Sequence, residues 1–284
     1  MAKRKKKRTT KKQRRQLLLG LLATVLVMAV LLILATGLPE SPVSVSQVTT
    51  APTEETTAPT ILPLEPNPYG PEDFQFDGDY LTCIAGDSRL GIDVSSHQKI
   101  VDWTQVAEAG VEFAMIRLGY RGYSSGIMKV DEYARDNLAG AGDAGLDLGV
   151  YFFSQAITPE EAKQEANFVL AVLEETELQL PVVFDWEYVS ADARTGSMDP
   201  VTLTNCAQIF CQVIEDAGYD AMIYFNQHLA QEMLDLEQLQ AYPFWLAMYT
   251  DQMDYPHRVQ MWQYTEEGSV PGIVGNVDIN LWLE

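Results

Sequence analysis

The chain has 284 residues, and with 47% apolar and 21% charged residues its composition is that of a globular protein rather than a disordered one. The 40 acidic residues outnumber the 19 basic ones, for a formal net charge of -21. Ten of the basic residues fall within residues 3–15, so the rest of the chain is strongly acidic and repels phosphate backbones. Nucleic-acid binding is not expected, and three cysteines are too few for a disulfide-stapled scaffold.

The N-terminal segment predicts a membrane anchor. Residues 1–16 are basic without an acid, and residues 17–38 are 22 residues without a charge. A helix of that length spans about 33 Å, enough to cross a bilayer core. The alternative is a cleaved signal peptide, whose apolar core is usually only about 7–15 residues long. The basic flank predicts a cytoplasmic N-terminus, so we expect a single-pass protein of the cell membrane with its main domain extracytoplasmic.

Two short segments separate the predicted anchor from the main domain. Residues 39–70 are rich in Pro and Thr and bury too little apolar surface to fold, which predicts an extended linker without core contacts. Residues 71–88 form a lead segment in which Phe74 and Phe76 alternate before Asp77-Gly78, a pattern that predicts a small hairpin.

Residues 89–284 alternate between β-rich runs and helical patterns. The predicted strands are Gly91–Ser95, Phe113–Tyr120, Leu148–Ser154, Val182–Tyr188, Ala221–Asn226, Phe244–Tyr249, Val259–Thr265 and Val277–Trp282. The predicted helices are Trp103–Ala109, Asp131–Ala144, Pro159–Glu177, Pro200–Ala217 and Gln227–Gln240. Thr158 and Asp199 each precede a proline at a predicted helix start, as N-cap residues do.

This alternation favours an α/β fold, specifically an irregular TIM-like barrel. Short strand–helix units require parallel strands with right-handed crossovers. Eight strands close a barrel, and here five βα units are followed by three strands without room for helices between them. A flavodoxin-like open sheet is the alternative, and it leaves the last three strands unexplained.

Four acids fall where a barrel gathers its chemistry, at the strand ends. Asp93 lies late in the first predicted strand, and Asp185 and Glu187 lie late in the fourth. Because side chains alternate along a strand, Asp185 and Glu187 share one face, with their Cβ atoms about 7 Å apart. Asp278 lies in the eighth strand, which neighbours the first in a closed barrel. The sequence therefore predicts four carboxylates converging on one mouth.

Clustered carboxylates suit either cation binding or acid–base chemistry on a glycosidic bond. Aromatic residues near other strand ends offer flat faces for sugar rings. These candidate substrate-binding residues are Tyr120, Tyr151, Phe153, Trp245, Tyr249, Trp262 and Tyr264. Aromatics beside acids favour a sugar substrate, and neither a metal nor another cofactor is expected.

Two competing chemistries are weaker. Residues 122–126 match the nucleophile-elbow pattern G-x-S-x-G, but they sit in a long loop without an immediate helix. His97, His228 and His257 lack the close spacing of a zinc site. A serine hydrolase and a zinc-dependent deacetylase or amidase are therefore minor alternatives.

Five motifs in register carry a resemblance to a known family. They are Gly91-Ile92-Asp93-Val94-Ser95-Ser96-His97-Gln98 followed by Asp102-Trp103, Gly149-Val150-Tyr151-Phe152-Phe153-Ser154, Asp185-Trp186-Glu187, Trp262-Gln263-Tyr264 and Val277-Asp278-Ile279-Asn280. Residues 89–284 thereby resemble the family 25 glycoside hydrolases, the N-acetylmuramidase type of lysozyme. The resemblance implies the same irregular barrel and a peptidoglycan glycan strand as substrate, cut after N-acetylmuramic acid.

The resemblance also implies roles for the acids. Glu187 matches the family's catalytic acid, Asp185 would orient the substrate's acetamido group or a water, and Asp93 and Asp278 match the supporting acids. With the predicted anchor, this gives a membrane-bound wall hydrolase facing the cell wall. The alternative is a peptidoglycan-binding module that keeps the barrel but has no turnover.

Overall fold

The computed structural model describes residues 63–174 and 176–284. The predicted basic segment 1–16, the predicted anchor 17–38 and the linker up to residue 62 lie outside the described residues. Across the part of the chain that is described, no helix combines the length and the apolar character needed to cross a membrane.

The predicted strands and helices appear in the predicted order, and β5 is an additional strand that the sequence did not predict. In chain order the strands are β1 (Phe74–Asp77), β2 (Tyr80–Cys83), β3 (Ser88–Val94), β4 (Phe113–Arg121), β5 (Met128–Val130), β6 (Asp147–Ser154), β7 (Val182–Trp186), β8 (Ala221–Asn226), β9 (Phe244–Ala247), β10 (Met261–Gly268) and β11 (Val277–Leu283). The α-helices are α1 (Trp103–Glu108), α2 (Ala134–Asp143), α3 (Pro159–Leu173), α4 (Pro200–Asp216) and α5 (Leu236–Leu239).

Eight of these strands close into a barrel. The sheet runs from β3 through β11, β10, β9, β8, β7 and β6 to β4, and β4 pairs back onto β3. This closure confirms the predicted irregular barrel and excludes the open sheet. Every barrel pair that does not include β11 is parallel, whereas β11 is antiparallel to both β10 and β3. A short connection without a helix joins β10 to β11, and such a connection permits only an antiparallel pair.

Side-chain caps start the two longest helices, as the sequence predicts. The Thr158 hydroxyl accepts from the Glu161 amide at 3.2 Å, and the Asp199 carboxylate accepts from the Thr202 amide at 3.0 Å. The expectation of one continuous helix over 227–240 is wrong. That segment is a π-helix over Leu229–Met233 followed by α5, because Leu234 is extended and Asp235 caps a new helix.

The lead segment packs on the outside of the barrel. Strands β1 and β2 form the predicted hairpin, and Phe74 meets the ring of Trp262 on β10 edge-on, with centroids 4.9 Å apart. The preceding residues also contact the barrel: the Tyr69 hydroxyl donates to the Glu284 carbonyl at 2.5 Å, and Leu64 packs against the core. The expectation that the linker up to residue 70 makes no core contacts is therefore wrong for residues 64–69.

The inside of the barrel changes character along its axis. At the end where the parallel strands begin, which we call the base, the inward side chains are apolar and buried. They are Phe113, Met115, Val183, Met222 and Met261. At the opposite end, which we call the mouth, the same strands present acids, amides and tyrosines to a cavity.

Candidate active site

The mouth contains a cavity of about 790 Å³ lined by all four predicted acids, Asp93, Asp185, Glu187 and Asp278. Asp185 lies near the end of β7 and Glu187 follows it on the same face. Asp93 on β3 and Asp278 on β11 are direct partners across the antiparallel pair. Asp278 reaches the mouth from the start of its strand, because β11 runs against the others.

Asp185 and Glu187 are both held toward their protonated forms. Burial, followed by the negative charges of Glu187 and Asp93, raises the pKa of Asp185 well above its usual range. One carboxylate oxygen of Asp185, Oδ1, is buried without a hydrogen-bond partner. Burial, with the charges of Asp93 and Glu266, raises the pKa of Glu187 to about 7. A carboxyl group with that pKa carries a proton for part of the time near neutral pH, as a general acid must.

Of the two neighbouring carboxyl groups Asp93 and Asp278, one is ionised at neutral pH and the other is protonated. Asp93 Oδ2 accepts from Gln263 Nε2 at 2.7 Å and from Asn280 Nδ2 at 2.9 Å. Burial raises the pKa of Asp93, and these two donors oppose the rise by stabilising the anion. Burial, reinforced by the charge of Asp93, raises the pKa of Asp278 to about 9. Asp93 therefore carries the negative charge of the pair, and Asp278 keeps its proton at neutral pH.

The orientation of both amides is fixed by other side chains. The Oε1 atom of Gln263 accepts from the hydroxyls of Tyr224 and Tyr249, each at 3.2 Å. The Oδ1 atom of Asn280 accepts from Trp245 Nε1 at 2.9 Å. With their oxygens occupied, the amides turn their N–H groups to Asp93. Sequence reasoning missed Gln263 and Asn280 as site residues, although each is two residues from another inward side chain and so shares its face.

The predicted aromatic set divides into two groups. Five of its members line the cavity: Tyr120, Tyr151, Phe153, Trp245 and Tyr249. Trp262 and Tyr264 do not, and their assignment to substrate binding is wrong. They alternate with Met261 and Gln263 along β10, so they face outward, where they are 0% and 6% exposed beneath the β1–β2 hairpin.

Arg117 is a third residue that sequence reasoning missed. It lines the cavity, lies 5.5 Å from the ring centroid of Tyr120, and pairs with Asp131 at 2.8 Å. Its Nη2 also donates to the Ser96 hydroxyl at 2.9 Å. The positive charge opposes the rise in the pKa of Asp185. An arginine in the middle of a strand gives no distinctive signal in the sequence.

The described residues have neither the nucleophile elbow of a serine hydrolase nor the ligand cluster of a zinc enzyme. The G-x-S-x-G run connects β4 to β5, two antiparallel strands, rather than a strand to a helix as a nucleophile elbow does. Over residues 63–174 and 176–284, no three His, Cys, Asp or Glu side chains are arranged to hold a metal ion. The residues in the mouth are equipped instead for proton transfer, with one carboxyl of pKa about 7 beside a buried anion.

The closed barrel with clustered acids at its mouth belongs to the class of barrel glycosidases. The family model described as glycosyl hydrolases family 25 matches residues 92–273. The chain belongs to this family.

Individual relatives agree with this membership. The chain is 26% identical over 195 residues to the autolytic lysozyme of Clostridium acetobutylicum, a match that covers 68% of this chain and 56% of that one. It is 25% identical over 205 residues to the uncharacterized protein YegX of Escherichia coli, covering 68% of each. The modular autolysin LytC of Streptococcus pneumoniae, solved with a synthetic peptidoglycan ligand, superposes with a TM-score of 0.61 at 26% identity and covers 69% of this chain and 46% of that one. The match thus spans about half the length of two of these relatives.

Proposed function

We propose that this protein is a muramidase that hydrolyses the glycosidic bond between N-acetylmuramic acid and N-acetylglucosamine in peptidoglycan. Family membership and the lysozyme and autolysin relatives support a peptidoglycan substrate. The observation that carries the proposal is the state of Glu187. Its pKa of about 7 and its place beside Asp185 in an open cavity suit a group that protonates a leaving oxygen.

In the proposed mechanism each acid has a separate task. Glu187 gives its proton to the glycosidic oxygen as the bond breaks, which removes the cost of expelling an alkoxide. Asp185 orients the acetamido group or a water against the anomeric carbon. Burial favours the protonated forms of Glu187 and Asp278, and Asp93, held as an anion by two amides, adds its negative charge to that effect.

The aromatic residues of the mouth provide the sugar contacts in this proposal. Tyr249 is 51% exposed and offers a ring face to a sugar, whereas Trp245 is 1% exposed and supports the site through its hydrogen bond to Asn280. Tyr120, Tyr151 and Phe153 are partly buried along the cavity wall. The proposed glycan path therefore crosses the mouth between Tyr249, which follows β9, and the aromatic residues of β4 and β6.

The decisive experiment is digestion of purified peptidoglycan. We expect the suspension to clear, and we expect borohydride reduction of the products to yield N-acetylmuramitol at the new ends. Reduced N-acetylglucosamine ends instead would contradict the bond assignment. Binding to peptidoglycan without clearing would identify a module that has lost turnover. Clearing should persist after exhaustive chelation, since no step of the proposed mechanism uses a metal.

We also propose that residues 17–38 anchor the protein in the cell membrane, with residues 1–16 cytoplasmic and the barrel on the side of the cell wall. The basic run beside 22 uncharged residues supports this topology. Protease added to intact, wall-stripped cells should remove the barrel and leave a small membrane-bound fragment. Recovery of most of the protein from the medium, beginning near residue 38, would contradict the retained anchor.

A further inference from the structure

Glu187 lies immediately after the last paired residue of β7. The last ladder partners of β7 are Asp185 with Tyr224 on one side and Trp186 with Ser154 on the other. Glu187 is the next residue, and residues 187–199 form the loop that leads to α4. The ladder therefore does not fix the backbone of Glu187, and a group outside it must hold that backbone in place.

The side chain of Gln155 supplies this hold. Its Nε2 donates to the Glu187 carbonyl at 2.8 Å and to the Ser154 carbonyl at 2.9 Å. Its Oε1 accepts from the Thr195 hydroxyl at 2.8 Å. Gln155 is 0% exposed, so these bonds form without competing water. One buried amide thus joins the end of β6 to both the first residue and a later residue of the loop.

A second residue of the loop, Arg194, bonds both to Gln155 and to α3. Arg194 Nη1 donates to the Gln155 carbonyl at 2.5 Å, and the same guanidinium forms two bonds to the Glu161 carboxylate, at 2.9 and 2.6 Å. Glu161 lies in the first turn of α3. Bidentate pairing of this kind fixes direction as well as distance. The loop is therefore bound to α3 as well as to β6.

Ser154, the residue before Gln155, is itself hydrogen-bonded to a buried ion pair. The Ser154 hydroxyl donates to Glu165 Oε2 at 2.6 Å, and Arg121 Nε donates to Glu165 Oε1 at 2.5 Å. The side chains of Arg121 and Glu165 are 5% and 0% exposed. Gln155 therefore starts from a fixed point on the barrel and reaches toward the loop.

We propose that Gln155, oriented by Thr195, is a positioning residue that holds Glu187 at the glycosidic oxygen. This inference rests on the proposed function, in which Glu187 is the general acid. Gln155 contacts the backbone of Glu187 and not its carboxyl group, so its removal leaves the acid present but displaced. A displacement of about 1 Å in a reacting group costs up to about 10²-fold in rate.

The test compares two substrates that differ in their need for an acid. Peptidoglycan glycan has an alkoxide leaving group that must be protonated, whereas a dinitrophenyl glycoside of N-acetylmuramic acid releases a phenolate that leaves without a proton. The variants are Gln155→Leu, which removes all three bonds, and Thr195→Val, which removes the donor that orients Gln155. Gln260→Leu is the matched control, because it removes a bond from a side-chain amide to the Leu283 carbonyl at the base.

We expect Gln155→Leu to lower kcat on glycan by about 10²-fold and to change turnover of the dinitrophenyl glycoside less than about threefold. Thr195→Val should show the same selective loss at a smaller size, and it decides the matter if Gln155→Leu fails to fold. Gln260→Leu should affect both substrates equally and weakly.

Equal losses on both substrates, or wild-type rates on glycan from the folded variants, would overturn the positioning role. Glu187→Gln separates this outcome from a failure of the proposed function. If Glu187→Gln loses glycan turnover while Gln155→Leu does not, the positioning role alone is wrong. If Glu187→Gln keeps glycan turnover, the general acid is misassigned and the positioning role is wrong with it.

Discussion

The base and the mouth of the barrel are built on the same strands and the same alternation of side chains, yet they are opposites in chemistry. Val183 and Asp185 are two residues apart on one face of β7, and the first is a core residue while the second is a buried acid. Met222 and Tyr224 repeat the contrast on β8. The base gains stability from apolar burial, whereas the mouth carries several acids whose pKa values are raised by burial and by one another. One end of the barrel thus stabilises the fold that the other end uses.

The largest expected effect is at the mouth, in Glu187→Gln. This variant keeps the volume of the side chain but has no proton to give, so the rate on peptidoglycan should fall about 10²–10⁴-fold with the fold intact. Turbidity clearing measures the rate, and circular dichroism measures whether the fold is intact. Glu160→Gln, at an exposed position in the first turn of α3, is the matched control and should retain its rate. Near-wild-type clearing by folded Glu187→Gln would remove this residue from the mechanism.

Met222→Ala, at the base, should lower stability and leave the rate nearly unchanged. Truncating a fully buried methionine leaves a cavity and should lower the free energy of unfolding by about 2–5 kcal/mol. Urea titration measures the loss. The turnover of the folded fraction should stay within about threefold of wild type, because the mouth is untouched. A large drop in turnover without a drop in stability would show that the two ends are not separable.

Asp93→Asn should change the pH profile more than the maximal rate. Besides burial, the negative charge of Asp93 raises the pKa of Glu187, so removing that charge lowers this pKa. The group then loses its proton at lower pH, and the basic limb of kcat/KM should move down by about one pH unit. The asparagine oxygen still accepts from Gln263 and Asn280. Glu266→Gln should move the limb in the same direction by less, since Glu266 is the smaller of the two charge effects. A basic limb that stays in place would show that Asp93 does not govern Glu187.

Tyr264→Phe should have almost no effect on rate or stability. Its hydroxyl accepts one long bond, 3.4 Å, from the Leu81 amide beneath the hairpin, and the ring lies outside the mouth. Rate and KM on glycan should match wild type in a steady-state assay. A rise in KM of tenfold or more would return Tyr264 to the substrate-binding set.

The sequence predicted more of the fold than of the site. Strong N-caps such as Thr158 and Asp199 mark helices locally, and eight β-rich runs were enough for a barrel. The antiparallel direction of β11 follows from the short connection before it, residues 269–276, and not from the residues of the strand itself. On β10, Met261 and Trp262 are both apolar, and alternation alone does not tell which of them faces the interior. That ambiguity placed Trp262 and Tyr264 in the mouth and left Gln263 out of it.

The pairing of β3 with β11 also governs when the site can exist during folding. Asp93 and Asn280 bond across this pair although they are 187 positions apart in the chain. Contacts between such distant residues carry the entropic cost of closing a long loop and form late in folding. The pair of Asp93 and Asp278, which carries one negative charge, is therefore completed when the barrel closes. A chain that has folded all of its βα units but not that seam lacks the Asn280 amide and the Asp278 carboxyl beside Asp93, so recovery of activity during refolding should report closure of the seam.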